Sequence, residues 1–294
     1  MIGVPIDSIG QAGGTELTPG VMRRAGLAAA IGARDGGDLD VRITGTDRDP
    51  ETGIVGYPTV VTATEGIREG VRASLERGEL PVLVGGCCTL LPGVFAAFSD
   101  VGRRTALAYL DGHYDLYTGV TSPTGEAADM PLALLLGDGP PALVGDAPLV
   151  GAADVAVLGA RDREEAVGLG SPMPEDVGIP IDRDPARVAA DGPDAVAAEV
   201  LAGLEPPIWV HLDVDVLTTD DFPATPYLQP GGLTTDQVVR LVRPIVQSGR
   251  CAGIDVTCYD PDMDDDGSSA ERLVELLARV FSESADAVSS RRGA

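Results

Sequence analysis

Residues 207–217 read PIWVHLDVDVL and join an apolar run to a polar cluster. The run PIWV is apolar on both faces, which is typical of a strand in a parallel sheet covered by helices on both sides. Side chains two positions apart lie on one face of an extended chain, so His211, Asp213 and Asp215 would point the same way. Because open parallel sheets build their sites at the carboxyl ends of strands, this stretch predicts a buried strand with a site directly after it.

A second stretch repeats this arrangement. Residues 105–115 read TALAYLDGHYD, and Asp111, His113 and Asp115 would share a face after another apolar strand. The chain contains only two histidines, and each lies in one of these two windows. We therefore expect the two polar windows to meet at one edge of the sheet.

Short apolar runs alternate with segments of helical period along the chain, which is typical of strands joined by crossover helices. We predict strands near residues 1–5, 40–44, 80–84, 105–110, 154–159, 207–214 and 251–257. We predict helices at 19–30, 62–78, 88–98, 128–136, 193–203, 234–248 and 268–283, with Thr234 and either Ser268 or Ser269 as caps. The fold class is α/β, a three-layer αβα sandwich with a mostly parallel sheet. It would form a single domain over 1–288, followed by a disordered tail at 289–294.

Composition excludes several classes of function. The formal net charge is -25, which argues against a nucleic-acid partner or an anionic membrane because the field would repel polyanions. The sequence shows neither an apolar run long enough for a membrane helix nor a signal peptide, so we expect a cytoplasmic protein without a membrane partner. The four cysteines follow no secreted spacing pattern, and structural disulfides are not expected.

The carboxylates of the two windows could not be buried without a counter-charge. A desolvated carboxylate costs several kcal/mol, like charges repel, and the neighbouring sequence offers few cations. A divalent ion is the simplest counter-charge, and carboxylates with an imidazole favour an ion such as Mn²⁺. A carboxylate shared between two ions suits a pair about 3.5–4 Å apart. The alternative is that these are solvated loop aspartates, which an acidic protein has in abundance.

Motifs along nearly the whole chain resemble those of the arginase/agmatinase (ureohydrolase) family. The matching segments are GVPIDSIGQAGGTELTPGVMRRAGL (3–27), LVGGCC (83–88) for G-G-D-H, LDGHYD (110–115) for D-A-H-x-D, LGARD (158–162), HLDVDVL (211–217) for S-F-D-V-D, and FPATPYLQPGGLT (222–234) for T-P-x-x-G-G-L-T. Each piece alone is a weak signal, but their combination in this order is specific. The resemblance implies an arginase-like αβα fold.

The resemblance also implies a centre of two Mn²⁺ ions. By position, Asp111 and Asp213 would bridge the ions. His113 and Asp215 would bind one ion, and Asp115 would bind the other. In that family the ions activate a bridging hydroxide, which attacks a guanidinium carbon and releases urea and an amine. We therefore predict Asp115 and Asp213 as the catalytic carboxylates, with Asp115 orienting the hydroxide.

Two cysteines depart from the family pattern. Cys88 stands where G-G-D-H has its histidine, and a thiolate there could bind a metal but favours softer ions such as Zn²⁺. Alternatively, Cys88 is a buried thiol and the adjacent metal position is weak or empty, so that a single ion binds. Cys258, in DVTCYDP (255–261), stands where a glutamate pairs with the guanidinium, and a neutral thiol cannot form that pair. We therefore predict a substituted or neutral amidine as substrate, for example an N-hydroxyarginine type.

The loop at 115–131 corresponds to the specificity loop of the family but lacks its usual histidine. The polar groups available there for substrate binding are Ser122, Thr124, Glu126 and Asp129. Glu126 and Asp129 could replace the missing carboxylate or cap the following helix. His211 is either bonded to a ligand carboxylate, where it would orient that ligand, or a core histidine bonded to a backbone carbonyl.

These observations predict a metal-dependent hydrolase that cleaves a C–N bond of a linear guanidino or amidino compound. One alternative is a single-metal or zinc enzyme acting on another planar C–N centre. The other is a catalytically silent binding or regulatory protein, against which the retained ligand positions argue because idle clustered carboxylates destabilise a core. Members of the family are usually trimers or hexamers, so the resemblance implies a homo-oligomer.

Overall fold

Seven parallel strands form the central sheet in the computed structural model, which describes residues 1–282. The strands are β1 (Ile2–Gly3), β2 (Val82–Val84), β3 (Ala106–Leu110), β4 (Val155–Leu158), β5 (Ile181–Arg183), β6 (Ile208–Asp213) and β7 (Cys251–Thr257). Their order in the sheet is β1-β2-β7-β6-β3-β4-β5. Every residue of β3 and β6 is buried, as expected for central strands covered on both faces.

Helices flank the sheet in two groups. The α-helices are α1 (Thr18–Arg24), α2 (Leu27–Ala30), α3 (Tyr57–Glu76), α4 (Leu91–Asp100), α5 (Pro131–Leu135), α6 (Pro141–Val144), α7 (Arg163–Gly168), α8 (Pro174–Val177), α9 (Pro185–Asp191), α10 (Pro193–Gly203), α11 (Thr235–Gln247) and α12 (Ser268–Phe281). Helices α3, α4, α5 and α6 pack against one another and form one group. The other group consists of α10, α11, α12, α1 and α2. The fold is therefore the three-layer αβα arrangement that the sequence predicts.

Short 3-10 segments mark several of the turns. They are Thr15–Leu17, Cys88–Leu90, Ala127–Asp129, Ala152–Asp154, Val214–Val216 and Pro261–Met263. Three of them follow β2, β6 and β7 at the carboxyl edge of the sheet. They turn the chain away from the sheet just beyond the strand ends.

Two strand predictions need correction. The predicted strand at 40–44 is wrong, because this segment is extended but pairs with no strand. Val41 and Ile43 are buried while Arg42 is exposed, so the alternation reflects packing of side chains rather than a ladder. The short edge strand β5 was not predicted, since its polar Asp182 and Arg183 break the apolar pattern.

Several helix boundaries also differ from the predictions. The predicted helix 19–30 is two helices, since Gly26 adopts a left-handed conformation with φ 83° between them. Helix α3 begins at Tyr57 rather than 62, and Pro58 in its first turn fits a helix start. The predicted helix 128–136 is interrupted at Met130 and shortened to α5. Helices α6 to α9 were not predicted, and each has only four to seven residues, too few for a clear period.

One of the two helix-cap predictions is confirmed and the other is wrong. Thr234 caps α11: its hydroxyl accepts from the Gln237 backbone N–H, and the Gln237 side chain accepts from the Thr234 N–H. The prediction for Ser268 or Ser269 is wrong, because α12 begins at Ser268 after Gly267. The first N–H groups of α12 instead donate to the carboxylates of Asp264 and Asp266.

The carboxyl ends of four neighbouring strands, β2, β7, β6 and β3, converge at the centre of the sheet. The chain runs from β3 to β4 on one side and from β6 to β7 on the other, so the direction of connection reverses between β6 and β3. Such a reversal point is where parallel sheets open a crevice for ligands. Both polar windows border it.

Three predictions concern the extent and state of the chain. The predicted tail at 289–294 and the last residues of the predicted domain lie outside the described residues. All four cysteines are free thiols, as expected. Within residues 1–282, no helix combines the length and the apolar character that crossing a membrane requires.

Candidate metal centre

The two polar windows meet, as the sequence predicts, at the carboxyl ends of β3 and β6. Asp111 follows β3 directly, and Asp213 is the last residue of β6. Asp111, Asp115, Asp213 and Asp215 are all buried. They border a cavity of about 330 Å³ together with Cys88, His113 and Cys258. The alternative of solvated loop aspartates is therefore wrong for these four residues.

Backbone hydrogen bonds fix one oxygen of each of three carboxylates. Asp111 Oδ1 accepts from the His113 N–H at 2.7 Å, and Asp213 Oδ1 accepts from the Asp215 N–H at 2.8 Å. Asp215 Oδ1 accepts from the Gly112 N–H at 2.8 Å, which ties the two windows together. The second oxygen of each carboxylate faces the cluster. The short turns after β3 and β6 thus hold one oxygen of each acidic group through backbone N–H groups.

Gly112 is closely packed against the cluster. A Cβ there would lie 2.8 Å from Asp215 Oδ1 and 2.6 Å from Arg161 Nη1. Arg161 also donates to the Asp215 backbone oxygen at 2.7 Å and to the Pro230 oxygen at 3.2 Å. These contacts hold the loop around Pro230 against the cluster.

His113 lies between two of the carboxylates. Its Nδ1 is 3.0 Å from Asp215 Oδ2 and 3.5 Å from Asp111 Oδ1. Its Nε2 is 3.0 Å from Gln229 Nε2, and its ring meets the Tyr227 ring edge-on. His113, Asp111 and Asp215 therefore form one compact group of donors.

Asp115 is held by the hydroxyl of Tyr109, which donates to Asp115 Oδ2. Asp115 has φ 47°, and among residues 1–282 the other non-glycine residue with positive φ is Cys258, at 61°. Such conformations cost of order 1–3 kcal/mol and concentrate at functional sites. The backbone therefore turns both side chains into the cavity at an energetic cost.

Cys88 Sγ also reaches the cluster. It lies 2.8 Å from Asp213 Oδ2 and 3.8 Å from Asp111 Oδ2, with Cys258 Sγ at 3.7 Å. Cys258 lines the cavity but can offer only a thiol where the resemblance placed a glutamate. The family's charged partner for a guanidinium is therefore absent from this position.

His211 is fully buried beneath the cluster. Its Nδ1 lies 2.5 Å from Asp255 Oδ2, and its Nε2 lies 3.6 Å from Asp111 Oδ2. The alternative of a core histidine bonded to a backbone carbonyl is wrong, since the partner of Nδ1 is a carboxylate. Nε2 lies beside Asp111, one of the predicted ligand carboxylates, without a hydrogen bond between them, so the predicted role of His211 in orienting that ligand stays a prediction.

The predicted substrate loop borders the same cavity. Asp129 and Thr124 line it, whereas Ser122 and Glu126 lie behind the wall. Asp129 Oδ2 accepts from the hydroxyls of Ser122 and Thr124, both at 2.6 Å, so the helix-capping alternative for Asp129 is wrong. Glu126 Oε2 accepts from Ser8 at 2.7 Å and from the Tyr227 hydroxyl at 3.1 Å.

Several residues of the cavity wall were missed by the sequence analysis. They are Tyr117, Pro123, Asp162, Glu165, Pro226, Tyr227, Leu228 and Gln229. Asp162 belongs to the LGARD motif and Tyr227 to the motif at 222–234. Both motifs supported the family resemblance, and their polar residues could have been predicted to border the cavity. Burial raises the pKa of Asp162 to about 6.

The cluster holds protons tightly without a counter-charge. Burial raises the pKa of the Asp213 carboxyl, and Asp215 and Asp111 raise it further. Burial and the charge of Asp111 likewise raise the pKa of Asp115. Burial opposes ionisation of Asp111 too, but the two imidazoles hold its pKa below the usual value. Burial raises the pKa of the Cys88 thiol.

The residues present fit divalent metal ions. Two groups each have donor atoms within 4.8 Å of one another: Cys88, Asp111, His211 and Asp213, and Asp111, His113 and Asp115. His211 Nε2 is buried and has no hydrogen-bond partner within residues 1–282. Carboxylate, imidazole and thiolate are all metal ligands, and a metal ion would replace the protons that the cluster otherwise retains.

Comparison with known proteins agrees with this geometry. The family model described as "Arginase family" matches residues 1–282. The chain is 28% identical to an arginase of Bacillus caldovelox over 96% of this chain and 97% of that protein. It is 25% identical to an arginase of Staphylococcus aureus strain MRSA252 over 96% of both chains.

A solved structure shows the same fold. The crystal structure of arginase from Bacillus cereus superposes with a TM-score of 0.83 at 24% identity, covering 97% of this chain and 98% of that one. The match of the family model over nearly the whole chain decides the assignment. The protein belongs to the arginase family and is a hydrolase of the ureohydrolase type.

Proposed function

We propose that the protein hydrolyses a C–N bond of a linear guanidino or amidino compound at a centre for two divalent ions. The observation that carries this proposal is that Asp111, Asp213, Asp215 and His113 line one cavity together, with His113 Nδ1 3.0 Å from Asp215 Oδ2. Asp111 and Asp213 would be shared by both ions. His113 and Asp215 would hold one ion, and Cys88 and Asp115 would contribute to the other.

Ions bound in such a centre lower the pKa of water and polarise the substrate. Asp115 is placed to accept the proton of the attacking water, because Tyr109 fixes one of its oxygens and leaves the other available. Addition of water to the amidine carbon and cleavage of the C–N bond then release an amine.

The charge of the cavity wall favours a neutral or cationic substrate tail. Two divalent ions balance the charges of the four central aspartates, and Asp129, Asp162 and Glu165 remain along the wall. Among the described residues that line the cavity, His113 is the only basic side chain. A tail that ends in an amine would pair with these carboxylates, whereas a free carboxylate would find no cation.

The amidine group itself would not be held by a carboxylate at position 258 through two charged hydrogen bonds. The thiol of Cys258 borders the cavity where it can contact a planar amidine without neutralising it. Asp129, fixed by Ser122 and Thr124, and Glu126, fixed to Tyr227, are the carboxylates of the substrate loop. We therefore propose a substituted guanidine or amidine, including N-hydroxylated forms, as the substrate.

The test is a panel of guanidines and amidines in matched pairs that differ only in an amine or a carboxylate at the tail. The Mn²⁺-loaded protein is assayed for release of amine or urea. We expect turnover of amine-tailed members and its loss in Asp215→Asn. Asp191→Asn, which changes an exposed aspartate at the end of α9, is the matched control and should keep the activity. Turnover that survives in Asp215→Asn would contradict the proposed centre.

Three broader properties belong to the same proposal. Residues 1–288 would form one domain, the chain would assemble as a homo-oligomer of three or six copies, and the protein would work in the cytoplasm. Light scattering coupled to size exclusion measures the assembly. A monomeric protein would contradict the oligomer.

A further inference from the structure

We infer that His211 is a metal ligand, so that Cys88, Asp111, His211 and Asp213 form a four-donor position for a softer divalent ion such as Zn²⁺ or Co²⁺. This inference rests on the proposed metal centre. It places a ligand from inside β6 where Asp115 would otherwise bind, leaves Asp115 as the proposed base, and assigns different preferences to the two metal positions.

The His211 ring is oriented so that Nδ1 faces Asp255 and Nε2 faces the cluster. Its Nδ1 lies 2.5 Å from Asp255 Oδ2, so Nδ1 carries the hydrogen and donates it. Nε2 therefore points at the cluster, 3.6 Å from Asp111 Oδ2, and offers its lone pair there once it releases its own proton. Nε2 is buried and has no hydrogen-bond partner among the described residues. A buried polar atom without a partner costs about 1–3 kcal/mol, and a metal ion at this position would remove that cost.

Buried side chains around the His211 ring hold it in this orientation. Asp255 Oδ1 accepts from the Trp209 indole N–H while Oδ2 accepts from His211, and all three side chains are fully buried. Tyr109 stacks on the His211 ring with centroids 4.6 Å apart. A histidine that binds a metal usually donates its other N–H to a carboxylate, which fixes the ring and raises its basicity. Asp255 is therefore the positioning residue for this ligand.

The distances between the donor atoms suit a tetrahedral metal ion. Cys88 Sγ and His211 Nε2 lie 3.8 and 3.6 Å from Asp111 Oδ2. Bonds of ~2.0–2.3 Å to a tetrahedral ion place neighbouring donors roughly 3.3–3.8 Å apart. The contact of 2.8 Å between Cys88 Sγ and Asp213 Oδ2 is a hydrogen bond from the thiol, which binding of an ion would replace.

The chemistry of the two positions then differs. A thiolate and an imidazole with two carboxylates favour a borderline ion such as Zn²⁺ or Co²⁺. The neighbouring position offers His113 and Asp215 with the shared carboxylates, a harder set that suits Mn²⁺. The two ions of the centre would therefore have different identities.

The chain permits a direct test because it contains only two histidines. Protein without a polyhistidine tag is labelled with ¹⁵N-histidine in the His113→Asn variant, which leaves His211 as the only labelled ring. Zn²⁺ is added to the metal-free, reduced protein. We expect the Nε2 signal to move from the position of a protonated nitrogen to that of a metal-bound nitrogen, while Nδ1 keeps its hydrogen. A protein that has bound Zn²⁺ but leaves this signal unchanged would overturn the inference.

Co²⁺ supplies a second readout in the wild-type background. A thiolate bound to Co²⁺ gives a charge-transfer band in the near ultraviolet. We expect this band in the wild type and in His113→Asn, and its loss in Cys88→Ser. His211→Asn should lower the metal content by about one ion per chain and weaken or shift the band. Cys251→Ala, at the opposite end of β7, is the control and should leave the spectrum unchanged.

The outcomes separate the two proposals. If the wild type binds neither Co²⁺ nor Zn²⁺ nor Mn²⁺, the proposed metal centre itself fails. If the wild type binds two ions and His211→Asn binds two with an unchanged band, only the role of His211 fails. Circular dichroism of each variant checks folding, and the ¹⁵N experiment retains His211 even if His211→Asn does not fold.

Discussion

At the scale of single residues, three of the buried aspartates each use one carboxylate oxygen for a backbone hydrogen bond and leave the other for the metal centre. Asp111, Asp213 and Asp215 each accept one backbone N–H and turn the other oxygen inward. Alternation along an extended chain does not bring these residues together, since Asp215 lies in the 3-10 segment Val214–Val216. That the two windows meet could still be predicted from sequence, because each follows an apolar strand of one parallel sheet. The partner of His211 could not, since Asp255 lies 44 residues away and meets His211 only through the register of β6 and β7.

Asp115 yields the prediction at this scale. Tyr109→Phe removes the hydroxyl that donates to Asp115, and loss of such an outer contact typically weakens metal affinity or activity by about 10–100-fold. Competition with a chelator measures the affinity. The matched control is Tyr259→Phe, whose hydroxyl donates to Asp264 at 2.7 Å outside the cavity lining. Equal metal affinity in wild type and Tyr109→Phe would show that this contact does not position the ligand.

At the scale of elements, regular patterns were predictable and irregular ones were not. Strand β3 is wholly apolar, β6 is apolar apart from His211 and its last residue Asp213, and α11 begins with a complete capping box. The segment at 40–44 misled because alternating burial also arises where a chain packs its side chains without pairing. The loop that carries Tyr227 and Gln229 reaches the cavity through Arg161, a contact that no local pattern reveals.

The cap of α11 yields a prediction about stability alone. Thr234→Ala removes the hydroxyl that accepts from the Gln237 N–H and should lower the free energy of unfolding by about 1 kcal/mol. Denaturant titration of the metal-free protein measures this change. Thr235→Ala, one residue later, changes no cap and serves as the control. Metal content should stay the same in both variants, and its loss in Thr234→Ala would mean that α11 helps to shape the centre.

At the scale of the whole molecule, the centre makes stability depend on pH. The pKa values of Asp115, Asp213, His113 and His211 are raised in the folded chain without metal. The folded state then binds more protons than the unfolded state, so stability falls as pH rises from the unfolded towards the folded pKa. For His211, whose burial is outweighed by Asp255 and Asp111, this window runs from 6.5 to about 10. The lowered pKa of Asp111 acts in the opposite direction only in the acid range.

Metal should reverse this dependence, because ions bind the deprotonated ligands. We expect the rise in melting temperature on adding Mn²⁺ to be larger at about pH 8 than at about pH 6. Comparing metal-loaded and metal-free protein at each pH cancels the repulsion among the other charges of this acidic chain, whose formal net charge is -25. A metal-induced rise that is equal at both pH values would show that the cluster holds no extra protons.

The most direct test of the account is the number of divalent ions bound per chain. Metal-free wild type, Asp215→Asn and Asp213→Asn are each dialysed against Mn²⁺ together with Zn²⁺, and the bound ions are counted by mass spectrometry. We predict about two ions in the wild type, about one in Asp215→Asn, and fewer still in Asp213→Asn, because Asp213 is shared by both positions. A wild type that binds no ion would contradict the hydrolytic centre and favour a catalytically silent member of the family.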